Sequence, residues 1–203
     1  MAALCAWIGG VSTRLSVTVE NLSASASVSD RMSRIDSMVN TDPMPEGFRR
    51  VSQALSALGH EHVPLWLEAA ARTAQEAATV LGVSVAQIAK SVIFRRQSDD
   101  MAVLVVTSGD RRVDEKKVAA LTGALGRADA HFVKSRTGFS IGGVAPLAHS
   151  GPVLTLIDRE LFRFEQIWAA AGHPNGVFRL SPADLLRLTG APVHDVVQTQ
   201  EPS

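Results

Sequence analysis

The pattern of apolar positions changes character along the chain. From Phe48 onward, Phe48, Val51, Leu55 and Leu58 recur at three- and four-residue spacing, and Gly59 follows. That spacing predicts an amphipathic helix closed by a glycine. His62–Trp66 reads as a short extended segment. Thr73 and Glu76 have the spacing of a capping box, which predicts a helix to Leu81 stopped by Gly82. Ser84 and Gln87 repeat the device and predict a short helix ending near Lys90. Ser91–Phe94 and Ala102–Thr107 are apolar runs rich in β-branched residues. With Gln97–Asp100 between them, they predict a hairpin in the core of a sheet.

Ser108–Asp110 reads as a turn. Asp114 caps a predicted helix over Glu115–Leu121, and Asp129 caps another over Ala130–Ser135. Val153–Ile157 and Val177–Leu180 are strand-like. Ser181, Pro182 and Asp184 open a helix that ends at Gly190, because proline suits the first helical position and an acid suits the first turn. Val193–Val197 is a last candidate strand. Helices and strands alternate irregularly and include a hairpin, so the expected class is α+β, a mixed β-sheet with packed helices rather than a doubly wound parallel sheet.

The first 42 residues break this pattern. They hold eight serines, including the run Ser23–Ser29, and few large apolar residues. Such a segment buries too little surface to offset its ordering entropy. Residues 1–43 are therefore expected to be a flexible Ser/Ala-rich tail, and 44–203 the folded domain, with Asp42-Pro43-Met44-Pro45 as the boundary. Met32, Met38 and Met44 are candidate alternative starts. The opening residues lack a basic stretch before their short apolar run, so no secretory signal is expected.

Composition narrows the function classes. The 203 residues carry 20 basic and 20 acidic side chains, a net charge of zero, which argues against nucleic-acid binding driven by bulk charge. No run approaches the roughly 20 apolar residues of a membrane span. The lone cysteine, Cys5, excludes a disulfide framework and a multi-cysteine zinc site. That composition suits a reducing compartment, and a cytoplasmic location is expected. No phosphate-binding loop, nucleophile elbow or metalloprotease motif occurs.

Two segments remain as candidate chemistry. Lys90 lies between a capped helix and an apolar strand, where its ammonium could hold a phosphate, a carboxylate or a polarised carbonyl. The alternative is a lysine reaching outward from a helix end and favouring its dipole. Thr137–Pro146 (Thr-Gly-Phe-Ser-Ile-Gly-Gly-Val-Ala-Pro) holds three glycines and a proline. Glycines admit positive φ and close approach of another molecule, and their N–H groups can bind an oxyanion. A merely structural turn is the other reading. Between Lys90 and Arg136 ten basic residues stand against six acidic ones, either a modest RNA-facing surface or a solvated face.

In order and spacing, these pieces resemble the YbaK/ProX family of aminoacyl-tRNA deacylases, related to the editing domain of bacterial prolyl-tRNA synthetase. The resemblance runs from about Phe48 to Val197. It rests on Ala89-Lys90-Ser91-Val92-Ile93-Phe94, on Val113-Asp114-Glu115-Lys116-Lys117-Val118, on Thr137–Pro146 and on Ser181-Pro182-Ala183-Asp184. It implies that fold and a trans-editing activity, hydrolysis of the ester of a mischarged tRNA, with prolyl tRNA the expected class. It implies Lys90 as the catalytic side chain. It also implies Thr137, Gly138, Phe139, Ser140, Gly142, Gly143, Val144 and Pro146 as the substrate-binding loop, with no metal or organic cofactor. The implied partners are the aminoacylated acceptor end of tRNA and, as a second candidate, an aminoacyl-tRNA synthetase, with no membrane. Some relatives carry an acid in the strand after the late glycine turn; Gly176–Leu180 has none, so no amino-acid preference is transferred. Two other readings are a non-catalytic binder of a charged tRNA end or nucleotide on the same fold, and a small-molecule esterase.

Overall fold

The computed structural model describes residues 44–199. The expected tail over 1–43, with Cys5, lies outside them. Helix α1 (Glu46–Ala57) buries Phe48, Val51 and Leu55 along one stripe and ends at Leu58, with Gly59 at φ 65°. Strand β1 (Leu65–Trp66) follows. Helix α2 (Ala74–Leu81) has the full capping box: the Glu76 amide donates to Thr73 Oγ1, and the Glu76 carboxylate accepts from the Thr73 amide.

The second capping box does not open an α-helix. Ser84 and Gln87 cap a single 3₁₀ turn, Val85–Gln87, and strand β2 (Ile88–Arg96) begins at once. Lys90 is therefore a strand residue, opposite Thr107 of β3 (Ala102–Ser108), and the helix-end reading of it falls. The reason is non-local: Ile88 and Ala89 pair with Trp168 and Ala169, and strand pairing overrides a local helix start.

After the β2–β3 hairpin come α3 (Glu115–Thr122), β4 (Leu125–Arg127), α4 (Ala130–Thr137), β5 (Val153–Asp158), β6 (Ile167–Ala170), β7 (Gly176–Leu180), α5 (Pro182–Thr189) and β8 (Val193–His194). Asp114, Asp129 and Ser181 cap α3, α4 and α5 as their sequence predicts. The last candidate strand is shorter than expected. Only Val193 and His194 join β8, although Val197 bridges to Val113.

The eight strands form one mixed sheet in the order β1-β7-β6-β2-β3-β5-β8, with β4 also paired to β2. β2–β6, β3–β5 and β5–β8 are parallel; the other pairs are antiparallel. β3 lies inside the sheet between β2 and β5, and every one of its residues is buried, as its unbroken apolar run requires. Successive residues face opposite sides of the sheet. Leu104 and Val106 meet Phe48, Val51, Leu55, Val133, Phe139 and Leu185 on one face. On the other, Val103 and Val105 meet Val118 of α3, and Ile88 meets Ala77 and Ala78 of α2. Both faces are thus covered, which leaves the sheet's edges as the place for a ligand.

Candidate functional site

The sheet has a break beside β2. Along one edge β2 pairs with β3 from Ala89 to Arg95. Along the other it pairs with β6 only at Ile88–Ala89 and with β4 only at Phe94–Arg96. Among the described residues no strand flanks Lys90–Ile93 on that side. A cavity of about 440 Å³ opens there, a volume typical of small-molecule sites. It is lined by Ile88–Ile93, by Arg72, Thr73, Ala74 and Ala77 at the start of α2, by Ile141, Gly142 and Val144, and by Trp168, Pro174, Gly176 and Val177 from β6, β7 and their turn. Because it wraps around an open edge, it takes residues from both faces of the sheet.

Lys90 is half-buried on this wall. Its Nζ donates to Arg111 O at 2.7 Å and lies 3.5 Å from Gly109 O. Burial holds its pKa below the ordinary lysine value, with Asp110 pulling it up and Arg112 pressing it down. Asp110 lies 2.6 Å from both Ser108 Oγ and Arg163 Nη2. Burial raises its carboxyl, but these two bonds bring it net below the usual carboxylate range. Arg163 and Arg111 share Glu160, at 3.3 and 2.8 Å. The lysine's ammonium is thus tethered to a turn held by an ionic network.

The glycine loop approaches from the other end of the same α2 segment. A Cβ on Gly142 would lie 3.2 Å from Arg72 Cα, and Gly142 has φ 87°, in the region that favours glycine. Gly109, whose carbonyl faces Lys90, abuts Ala74. Arg72–Ala74 therefore bridges the Lys90 wall and the Gly142 wall. A Cβ on Gly143 would lie 2.6 Å from the carbonyl carbon of His173, so the loop packs backbone to backbone on the β6–β7 turn. That turn is held by Trp66, stacked on the His173 ring at 4.8 Å. Burial lowers the His173 pKa.

The structure brings Lys90, Gly142 and Val144 together and sets the other expected loop residues behind them. Thr137 is buried at the end of α4, where its hydroxyl donates to Val133 O at 2.7 Å and accepts from the Phe139 amide at 3.1 Å. Gly138 is the left-handed cap of α4. Phe139 is buried in the core beneath the Arg50 guanidinium, 4.6 Å from its ring centroid. Ser140 is exposed, and its carbonyl accepts from the Gly143 amide at 2.9 Å. Pro146 is buried and, with Gly143, lies off the cavity wall. These residues shape the loop from below.

Sequence reasoning missed Ser91, Arg72, Thr73, Ala74, Ala77 and the β6–β7 residues as cavity wall. The missing signal is topological: only strand order brings them to one edge. The basic run from Lys90 to Arg136 is also less free than its count suggests. Arg95, Arg96, Arg111 and Lys117 are paired with Asp100, Asp99, Glu160 and Asp195, two of which come from beyond that stretch. No helix among the described residues is long and apolar enough to cross a membrane.

Comparison with known proteins bears directly on this arrangement. The profile of the aminoacyl-tRNA editing domain matches residues 68–188, more than half of the chain. The chain belongs to the aminoacyl-tRNA editing domain family. The match contains β2, the glycine loop and the β6–β7 turn, so the whole cavity wall lies inside it. The protein YwhH of Bacillus subtilis is 37% identical over 121 residues, 58% of this chain and 75% of YwhH. Proline–tRNA ligase of a Thermoanaerobacter species is 31% identical over 94 residues, 44% of this chain but 16% of the ligase. The crystal structure of a candidate trans-editing enzyme for prolyl tRNA synthetase superposes with a TM-score of 0.71 at 38% identity. It covers 77% of this chain and 100% of its own. The expected fold is thereby established: an α+β mixed sheet of the prolyl-tRNA editing type.

Proposed function

We propose that the protein is a trans-editing deacylase that hydrolyses the ester of a mischarged tRNA, with prolyl tRNA the expected class. The observation that carries this reading is the cavity at the break in the sheet, which unites Lys90 with Gly142 and Val144 in a member of the editing-domain family. An aminoacyl ester is already activated, so placing a water and stabilising developing negative charge accelerate its hydrolysis without a protein nucleophile. Water adds to the ester carbonyl carbon, and a tetrahedral oxyanion forms. The C–O bond to the ribose then breaks, and the ribose oxygen takes a proton. The products are the free amino acid and the tRNA. Lys90 supplies positive charge at the wall, and Gly142, packed on the Arg72 backbone, holds the glycine loop at the cavity.

The cavity wall is dominated by small apolar side chains such as Ala74, Ala77, Ala89, Ala169 and Ala170. Apolar discrimination is worth only about 10- to 200-fold per methylene, which is why a synthetase gains from a separate editing step.

The test is a panel of prolyl tRNAs charged with labelled amino acids, followed for loss of label. Hydrolysis of at least one mischarged species well above the buffer rate, weakening as salt rises, is expected. Binding without turnover would leave a non-catalytic binder. Cleavage of simple amino-acid esters at equal efficiency would indicate an esterase indifferent to tRNA.

A further inference from the structure

The break in the sheet leaves two outward-facing residues of β2, Ser91 and Ile93, outside its strand pairs. In an antiparallel pair, the N–H and C=O of successive residues point alternately toward and away from the partner strand. The Arg96 amide donates to Met101 O on the β3 side, and the Gln97 amide donates to Ala124 O on the opposite side, both at 2.9 Å. Counting back along β2, even-numbered residues turn their main-chain groups toward β3 and odd-numbered residues away from it. On the outer edge Ala89 meets β6 and Arg95 meets β4. Ile93 adjoins the Phe94–Arg127 pair, and Ser91, at the centre of the break, meets neither strand. Its N–H and C=O face the break, where no strand among the described residues pairs with them. Its buried Oγ also has no hydrogen-bond partner among the described residues. Main-chain groups on the wall of a cavity are free to pair with a ligand that enters it.

We propose that the main chain of Ser91 recognises the aminoacyl group, as an extension of the deacylase reading above, on which this inference rests. An aminoacyl ester presents an amine nitrogen, one Cα and a carbonyl, the same spacing that a residue of a neighbouring strand would offer. Facing Ser91, it closes the two-bond ring of a hydrogen-bonded antiparallel pair. The α-ammonium donates to Ser91 C=O, and the Ser91 N–H donates to the ester carbonyl oxygen. The substrate occupies the place of the strand residue that β6 and β4 leave vacant. When water adds to the carbonyl carbon, the oxygen bound to the Ser91 N–H takes the negative charge, and that donor then acts as an oxyanion contact. Recognition of this kind is blind to the side chain and requires the α-amine, which fits an editing site that must accept more than one wrong amino acid.

The test compares alanyl and propionyl esters of the same prolyl tRNA on the wild-type protein, each divided by its own rate in buffer. Propionyl lacks only the amine. Alanyl is expected to be favoured by roughly 10- to 100-fold, the effect of a charge-assisted hydrogen bond. The second arm is Ser91→Pro. It removes the outward N–H, and the bonds from β2 to β3 do not use that group. With folding checked by circular dichroism, kcat/KM for alanyl tRNA is expected to fall about 100-fold or more. Equal normalised rates for the two esters overturn the proposal while leaving the deacylase reading intact. So does a folded Ser91→Pro variant with full activity. Should that variant not fold, the ester comparison alone decides. No hydrolysis of any charged tRNA overturns both readings.

Discussion

Gly143→Ala is the sharpest test of how the site is built. Gly143 does not need glycine's conformational freedom, since its φ is not positive; it needs glycine's size. An added Cβ would lie 2.6 Å from His173 C, 2.7 Å from His173 Cα and 2.9 Å from His173 N. All three are backbone atoms, so no rotamer change relieves the clash. To regain an ordinary contact of ~3.4 Å, the loop and the β6–β7 turn must part by about 0.8 Å, and a displacement of that order near a reacting centre costs roughly 100-fold in rate. Overpacking of this kind also costs about 1–3 kcal/mol of stability. The stacking of His173 on Trp66 limits how far the turn can yield. The assay is kcat/KM on a mischarged prolyl tRNA alongside the urea midpoint. We expect a fall of about 100-fold in kcat/KM in a protein that remains folded but is less stable. Unchanged activity together with an unchanged midpoint would refute the tight packing of the glycine loop on the turn.

Three further outcomes are expected. Lys90→Met keeps most of the side-chain volume but removes the ammonium that bonds Arg111 O, so kcat/KM should fall about 100-fold and stability by about 1–3 kcal/mol; full activity would remove Lys90 from the site. Asp158 is buried with Oδ2 bonded by Thr107 at 3.0 Å and Oδ1 without a hydrogen-bond partner among the described residues, and burial raises its pKa despite the Thr107 bond. The folded state therefore holds this proton more tightly than the unfolded chain. Its stabilising contribution is full below the ordinary carboxylate pKa and is lost as pH rises through the raised one. Asp158→Asn should consequently gain stability relative to wild type as pH rises above the ordinary carboxylate pKa of about 4, read from urea midpoints; parallel pH profiles would contradict this. Leu55→Ala removes a side chain 1% exposed on the core face of α1 and should cost about 2–5 kcal/mol in urea unfolding, with a smaller loss meaning that α1 is weakly docked.

The helices were legible because their signals are local. Thr73 with Glu76, Asp114, Asp129 and Ser181 each satisfy backbone donors within three residues, so the sequence window contains the whole interaction. The β2–β3 hairpin was legible for the same reason, as two apolar runs flank a polar turn. β4 and β6 were missed. Leu125–Arg127 is three residues long with a central glycine, and Ile167–Ala170 is four apolar residues with no period to separate strand from helix. The same ambiguity placed Lys90 at a helix end. Ser84 and Gln87 make a sound cap, but the partner that pulls Ile88 into a strand is Trp168, eighty residues away.

From its order of residues alone, this chain specified its capped helices, the apolar runs that form most of its strands, and the two segments, Lys90–Phe94 and Thr137–Pro146, that carry the family's marks. Each rests on interactions between near neighbours or on residue types that stay the same wherever the chain goes. Which groups share a cavity was decided only by the folded sheet. The parallel contact of β6 and the short antiparallel contact of β4 stop on either side of Ser91, and the interval between them is a property of two distant strands meeting a third. No window of sequence contains that interval, because the hydrogen bonds that define it close across loops of many tens of residues.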